Sequence, residues 1–315
     1  MTGMNPETRA AGVSRIGTLP ALIGLLRLPE WTKNLFVFAP LLFSRSLLNA
    51  AAVWTTVLVC AALCAVSSSV YIINDLLDIA KDRAHPVKRL RPIASGAIAP
   101  GVAGVWAILL IAVGYGLLAV ARAPASVRLL TTGYLVLNAA YSLYLKQKVI
   151  VDVLAIAVGF VLRVLIGGAA VGVHVTHCLL LCTFLLATFL GFSKRRHELW
   201  VMGSVSTQTR PVLNMYSEEF LDRVSILTLA MTLTCYVLYT IAPDTIARLG
   251  TDALVYSTLI VMFALFRYLF LIHVKRMGSP VEALYHDRQI VLAIVCWVFY
   301  VVWVVYTWPQ VMRFR

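Results

Sequence analysis

Charge is scarce in this 315-residue chain: 14 residues are acidic and 27 are Lys or Arg, 13% in all, against 61% hydrophobic. Soluble globular domains carry about a quarter charged and roughly half apolar residues. A mean hydropathy of +0.87 therefore excludes that class and leaves a multi-span membrane protein. Also lacking are Pro/Ser/Gly-rich linkers, low-complexity tracts and abrupt shifts of composition, so a single domain over residues 1–315 is expected. Residues 1–12 contain no apolar h-region, which argues against a cleaved signal peptide, and residues 1–18 read as a flexible cytoplasmic N-terminus. The six cysteines, Cys60, Cys64, Cys178, Cys182, Cys235 and Cys296, lie in apolar runs without companions at zinc-ligand spacing, so they read as small core residues. No basic stripe is interleaved with aromatics, which excludes nucleic acid as a partner.

What is present is a series of apolar windows of about 20 residues, the length that crosses a bilayer. Nine are expected, near residues 21–43, 52–76, 99–121, 126–145, 150–172, 175–194, 223–242, 252–273 and 289–308, which gives an all-α polytopic protein. With a cytoplasmic N-terminus, the loops after the even-numbered windows hold fifteen cations from Lys81 to Arg288, and the opposite side holds six. This positive-inside bias places the polar clusters on the cytoplasmic face of a cell (inner) membrane. Attraction to anionic lipid alone would explain part of the net charge of +13.

The densest chemistry is Asn74-Asp75-Leu76-Leu77-Asp78-Ile79-Ala80-Lys81-Asp82, which runs into Arg83-Ala84-His85-Pro86-Val87-Lys88-Arg89-Leu90-Arg91-Pro92. On one continuous helix, Asp75, Asp78 and Asp82 share a face about 60° wide, and gathered oxygen ligands suit a hard divalent cation such as Mg²⁺ bridging a diphosphate. Lys81, Arg83, Lys88, Arg89 and Arg91 would hold phosphate oxygens, and Asn74 would orient a ligand. Pro86 and Pro92 stiffen the loop, and Gly96 permits a turn close to substrate. The plainer alternative is a solvated helix end whose carboxylates balance nearby cations.

A second cluster, Ser193-Lys194-Arg195-Arg196-His197-Glu198, closes the sixth window, with Tyr216-Ser217-Glu218-Glu219 opening the next. Lys194 and Arg195 read as a phosphate clamp and Glu198 as a further metal or hydroxyl ligand, against the alternative of ordinary positive-inside punctuation. Lys33, in Trp31-Thr32-Lys33-Asn34, is either a phosphate contact or a snorkelling anchor. Asn138, Tyr141 and Lys146 approach the same face, and Asp152 opens the fifth window. Arg163 lies on nearly the stripe of Asp152 but about 16 Å deeper, where it needs a partner or an anionic ligand.

The Asn-Asp-x-x-Asp-x-x-x-Asp pattern at 74–82, at the cytoplasmic end of the second window, resembles the first Asp-rich motif of the UbiA superfamily of intramembrane prenyltransferases. Leu28-Pro29-Glu30-Trp31-Thr32-Lys33-Asn34, the stretch from Asp75 to Gly96, Tyr141-Ser142-Leu143 and Ser193 to Leu199 extend the resemblance over nearly the whole chain. It implies nine helices around a central lipid-accessible cavity. The pattern is most similar to members that move phosphoribosyl from phosphoribosyl diphosphate to a polyprenyl (decaprenyl) phosphate, which implies a Mg²⁺-dependent transferase serving arabinan and cell-envelope synthesis. Asp75, Asp78 and Asp82 would then be the metal-holding catalytic residues.

The chain departs from the common prenyltransferase pattern where a second Asp-rich motif is expected and Lys-Arg-Arg-His-Glu stands instead. Two polyanionic substrates would favour that exchange of carboxylates for cations. The alternatives are a prenyl diphosphate donor with an aromatic or glycerophosphate acceptor and, from another class, a transporter or channel for an anionic solute. The latter would need helices broken at midplane and repeated halves, whereas here the carboxylates gather at one membrane face and only Gly159, Gly167 and Gly168 interrupt the fifth window. Membrane lipid and a second copy of the chain complete the expected partners.

Overall fold

The computed structural model describes residues 18–85, 87–202, 211–275 and 280–307. Pro86, the N-terminal residues 1–17, Arg210, Arg276, Arg313 and Arg315 lie outside the described residues. All regular structure among the described residues is helical. Among the described residues, seven helices are long and apolar enough to cross a membrane: Ala50–Leu77, Pro100–Val120, Val151–Val171, His177–Trp200, Glu218–Ile241, Ala253–His273 and Arg288–Tyr306.

Two of the nine expected windows take other forms. The window at 21–43 breaks into a helix Thr18–Leu26, a 3-10 stretch Leu28–Phe38 and a short helix Ala39–Phe43. Arg27 sits in the left-handed region at φ 49°, and Pro29 and Pro40 donate no backbone hydrogen bond. Irregular backbone at membrane depth needs partners from the protein. Here Ser68 Oγ donates to the Leu26 carbonyl at 2.7 Å, Trp31 Nε1 donates to Ser68 Oγ at 3.0 Å, and Asn34 Nδ2 donates to Ser67 Oγ at 3.1 Å. Trp31 is thus tied into the protein by its indole nitrogen. The window at 126–145 forms one helix, Ala125–Leu143, whose polar side chains Tyr134, Asn138 and Tyr141 line an internal cavity. That polar stripe is why it is less apolar than its neighbours.

Between helices in lipid, close approach replaces the hydrophobic effect as the source of cohesion, so small residues mark the tightest contacts. A Cβ on Gly167 would fall 2.0 Å from the Val37 carbonyl oxygen. The broken segment can lie against the Val151–Val171 helix only because that position has no side chain. Gly159, Gly167 and Gly168 were expected to interrupt this helix, yet it runs unbroken. Helices Ala50–Leu77 and Pro100–Val120 pack together, as do Val151–Val171 with His177–Met202 and His177–Met202 with Glu218–Ile241. A buried cluster of Val37, Val59, Leu63, Leu118, Val127 and Ile166 joins the first half, and Phe189, Leu229, Leu265, Leu271 and Ile290 join the second. All six cysteines are free, and Cys296 is exposed on its helix instead of packed in the core.

Candidate active site

The Ala50–Leu77 helix does not continue through the acidic motif. Asp78 caps it at φ −105° and ψ 13°, with its N–H donating to the Asn74 carbonyl, and a separate short helix, Ile79–Ala84, begins at the next residue. The expected single face of three carboxylates is therefore split. Arg91 Nη1 bridges Asp75 at 3.0 Å and Asp82 at 2.6 Å, while Arg27 Nη2 donates to the same Asp75 oxygen. On the other side, Lys146 Nζ donates to Asp78 Oδ2 at 2.6 Å and to Asn74 Oδ1 at 3.3 Å. Asp75 and Asp82 are only 6% and 4% exposed, a burial that carboxylates tolerate when cations face them.

Among the described residues, no three His, Cys, Asp or Glu side chains stand together as a ready metal cluster. The donor chemistry nonetheless fits a hard cation. Oxygen pairs converge on two points, Asp78 with Asn74 and Asp75 with Asp82, and in this structure each point holds a protein cation.

These groups stand at a cavity of about 300 Å³. Eight cations line it, Arg27, Lys33, Lys81, Lys88, Arg91, Lys146, Arg163 and Lys194, against the carboxylates of Asp78, Asp82 and Glu198. Such an excess of positive charge, partly screened from water, suits a ligand with several phosphates. The broken segment delivers Lys33, which is ion-paired with Glu30. Tyr71 adds a hydrogen bond to Glu30 at 3.3 Å.

Arg163 lies among the cavity residues and is 5% exposed. Its Nε donates to Asn34 Oδ1 at 2.8 Å, Nη1 to the Gly159 carbonyl at 2.9 Å and Nη2 to Tyr134 Oη at 2.9 Å, and the guanidinium lies over the Tyr134 ring. The partner that its depth requires is thus an amide, a carbonyl and a phenol.

Other expected contacts fall elsewhere. Arg83 is exposed and donates to the Ala94 carbonyl at 3.1 Å, and Arg89 is exposed outside the cavity lining. Arg195, expected as a phosphate clamp, is 2% exposed behind the wall, where it bonds Asp152 at 2.7 Å, Glu198 at 2.7 Å and the Tyr141 hydroxyl at 3.4 Å. Glu198 is therefore held by Arg195 one turn away. Lys194 keeps its place at the cavity, and among the described residues no hydrogen bond ties its ammonium down. Gly96 has φ 81°, which bears out the turn expected in the loop.

Sequence reasoning missed Arg27 and Tyr134 and gave Tyr216 no role. Tyr134 precedes Asn138 by four positions on the same helical stripe, a spacing that carries the signal. Arg27 offered only the hint of a cation inside an apolar window. His85 Nδ1 accepts the backbone N–H groups of Val87 at 3.1 Å and Lys88 at 3.3 Å, which shapes the basic loop over the cavity. Burial, followed by the charge of Lys88, holds the His85 imidazole below its ordinary pKa.

Known proteins resemble the chain over most of its length. A decaprenyl-phosphate phosphoribosyltransferase from Corynebacterium glutamicum is 28% identical over 92% of this chain and 88% of its own length. One from Mycolicibacterium smegmatis is 29% identical over 94% of this chain and 96% of its own length. Among solved structures, a UbiA homologue from Archaeoglobus fulgidus bound to GPP and Mg²⁺ superposes with a TM-score of 0.69 at 19% identity, covering 90% of this chain and 99% of that one. The UbiA prenyltransferase family pattern matches residues 34–285, and by that match the chain belongs to this family of multi-pass membrane enzymes.

Proposed function

We propose that the protein transfers 5-phosphoribosyl from phosphoribosyl diphosphate to a polyprenyl phosphate such as decaprenyl phosphate, releasing pyrophosphate, in the supply of cell-envelope arabinan precursors. The observation that carries this reading is the eight-cation cavity, in a chain similar over nine-tenths of its length to decaprenyl-phosphate phosphoribosyltransferases. A site for one diphosphate and a neutral acceptor gains little from so many cations. A site that must bring two polyanions into contact needs them to offset their repulsion.

A phosphate oxygen of the lipid attacks the anomeric carbon, the bond from that carbon to pyrophosphate oxygen breaks, and the electron pair leaves with pyrophosphate. The nucleophile is already ionised, so no strong general base is needed. Asp75, Asp78 and Asp82, with Asn74, would hold Mg²⁺, which supplies charge neutralisation on the leaving pyrophosphate. Lys33, Lys81, Lys88, Arg91, Lys146 and Lys194 bind and orient phosphate oxygens, and Arg163 fixes the depth at which the ribosyl group stops. Arg83 and Arg89 act at the loop surface, where incoming anions first meet the protein. The broken 18–43 segment and the Ala125–Leu143 helix complete nine passages, with the cavity opening to the cytoplasm.

Purified protein in detergent, given labelled phosphoribosyl diphosphate, a polyprenyl phosphate and Mg²⁺, should move label into the organic phase, and Asp75→Ala and Lys194→Ala should abolish or reduce it. Absence of transfer, with consumption of a prenyl diphosphate instead, would replace this reading by prenyl transfer to an aromatic or glycerophosphate acceptor.

A further inference from the structure

Asp152 is fully buried, and both of its carboxylate oxygens are engaged. Oδ2 accepts Arg195 Nε at 2.7 Å, and Oδ1 accepts the Tyr216 hydroxyl at 2.9 Å. Each partner leads onward to the cavity wall. Arg195 uses its remaining nitrogens on Glu198 and the Tyr141 hydroxyl, both cavity residues. Tyr216 Oη accepts the backbone N–H of Ile150 at 2.5 Å.

Ile150 is a β-branched residue at φ 68°, a region such residues seldom enter. The turn it closes carries Lys146, whose ammonium reaches Asp78 and Asn74. Strain held by surrounding hydrogen bonds is a mark of sites where geometry is over-determined for function. Burial, ahead of other causes, pushes the Tyr216 phenol up to about 12, so it remains a donor to Asp152 throughout the neutral range.

We infer that Asp152 is a positioning residue that touches no substrate and sets two walls of the cavity in register, Glu198 and Tyr141 through Arg195, and Lys146 through Tyr216 and the strained Ile150. This rests on the transferase reading above for its reaction, though not for its anion site. A buried carboxylate with a purely structural role would need only one cation to offset its burial. Here the links beyond the ion pair end on cavity groups from three separate segments.

The test compares wild type with Asp152→Asn and Tyr216→Phe in detergent, reading kcat and KM for phosphoribosyl transfer, the affinity for inorganic pyrophosphate with Mg²⁺, and the melting temperature. Tyr216→Phe keeps the ring and removes only the relay hydroxyl, so it carries the test if Asp152→Asn fails to fold. Both variants should lose about tenfold or more in kcat/KM, chiefly in kcat, because a displacement near 1 Å is enough to misalign reacting groups. Pyrophosphate affinity should weaken severalfold in parallel. The loss in Asp152→Asn should also be non-additive with Glu198→Gln. Lower melting temperatures with wild-type kcat/KM and pyrophosphate affinity would overturn the proposal and leave Asp152 a structural residue. Wild type that binds pyrophosphate in an Asp152-dependent way but transfers no phosphoribosyl would refute the transferase reading and keep the positioning role. Wild type that binds no pyrophosphate would remove both.

Discussion

The Lys146 ammonium donates to the Asp78 carboxylate at 2.6 Å, linking the turn after the Ala125–Leu143 helix to the end of the Ala50–Leu77 helix. Lys146 and Asp78 are thus neutralised against each other, and each is released when a ligand of matching charge draws its partner away. A polyanion would attract Lys146 and free Asp78 for a divalent cation, so anion and metal should bind with positive coupling.

Asp78→Asn should lower turnover by about 100-fold, the scale on which removing one preorganised charge-stabilising group is felt. Chelation with EDTA should abolish wild-type transfer and Mg²⁺ should restore it, while Asp78→Asn should need a higher Mg²⁺ concentration for its remaining rate. Metal titrations of label transfer, at fixed phosphoribosyl diphosphate, measure both effects. Chelator-resistant activity would refute the metal assignment.

Gly167→Ala should be destabilising by about 1–3 kcal/mol or more, the usual range for overpacking, because the contact is with backbone and has no rotamer to relieve it. The added methyl meets the Val37 carbonyl oxygen. The segment that must shift also carries Lys33, so a fall in melting temperature should come with a rise in KM for the anionic donor. Gly116→Ala, on a helix where a Cβ meets nothing within 4 Å, is the control and should change neither.

Arg163→Met should cost about 1–3 kcal/mol for each buried group left without its partner, here Asn34 Oδ1 and Tyr134 Oη. Arg163→Lys keeps the charge and loses the planar fork, so it should recover stability only in part. Denaturation monitored in detergent separates the two variants. Equal stability of wild type and Arg163→Met would mean that the three hydrogen bonds contribute nothing net.

The His85 imidazole is held below its ordinary pKa, mainly by burial, and its Nδ1 accepts two backbone N–H groups. A base with a depressed native pKa binds more protons when unfolded, so its contribution is present at neutral pH and is lost as pH falls below about 6.5 toward the lower native value. The loop over the cavity should then loosen, and kcat/KM should decline on the acid side. His85→Asn, which retains an acceptor without a titration in this range, should flatten that limb of the profile. An unchanged profile would place the titrating group elsewhere.

Reading the chain alone was most successful where the physics is local. Hydropathy and helical period located the apolar segments, because a bilayer imposes a length and satisfies no backbone group from outside. The Asn74–Asp82 spacing drew attention to a helix end that stands at the cavity, since clustered carboxylates are costly at a membrane face without a task. Lys33, Lys88, Arg91, Lys146, Arg163 and Lys194 were all named from sequence, and the structure brings them to one cavity. Their shared placement near the polar ends of helices was visible in the pattern of charge.

What stayed hidden depends on contacts across the fold. No local rule tells that Arg195 turns inward to Asp152 while its neighbour Lys194 stays at the cavity; 43 positions separate the first pair, and helix packing decides it. The broken first segment follows from Pro29 and Pro40 only once Ser67, Ser68 and Gly167 are in place to bond it and make room. Composition and periodicity therefore determined that this is a helical membrane protein with a cation-rich polar end. Tertiary structure decided which of its charges face the cavity and which hold those charges in position, because an ion pair in low dielectric forms between whichever groups the backbone brings within reach.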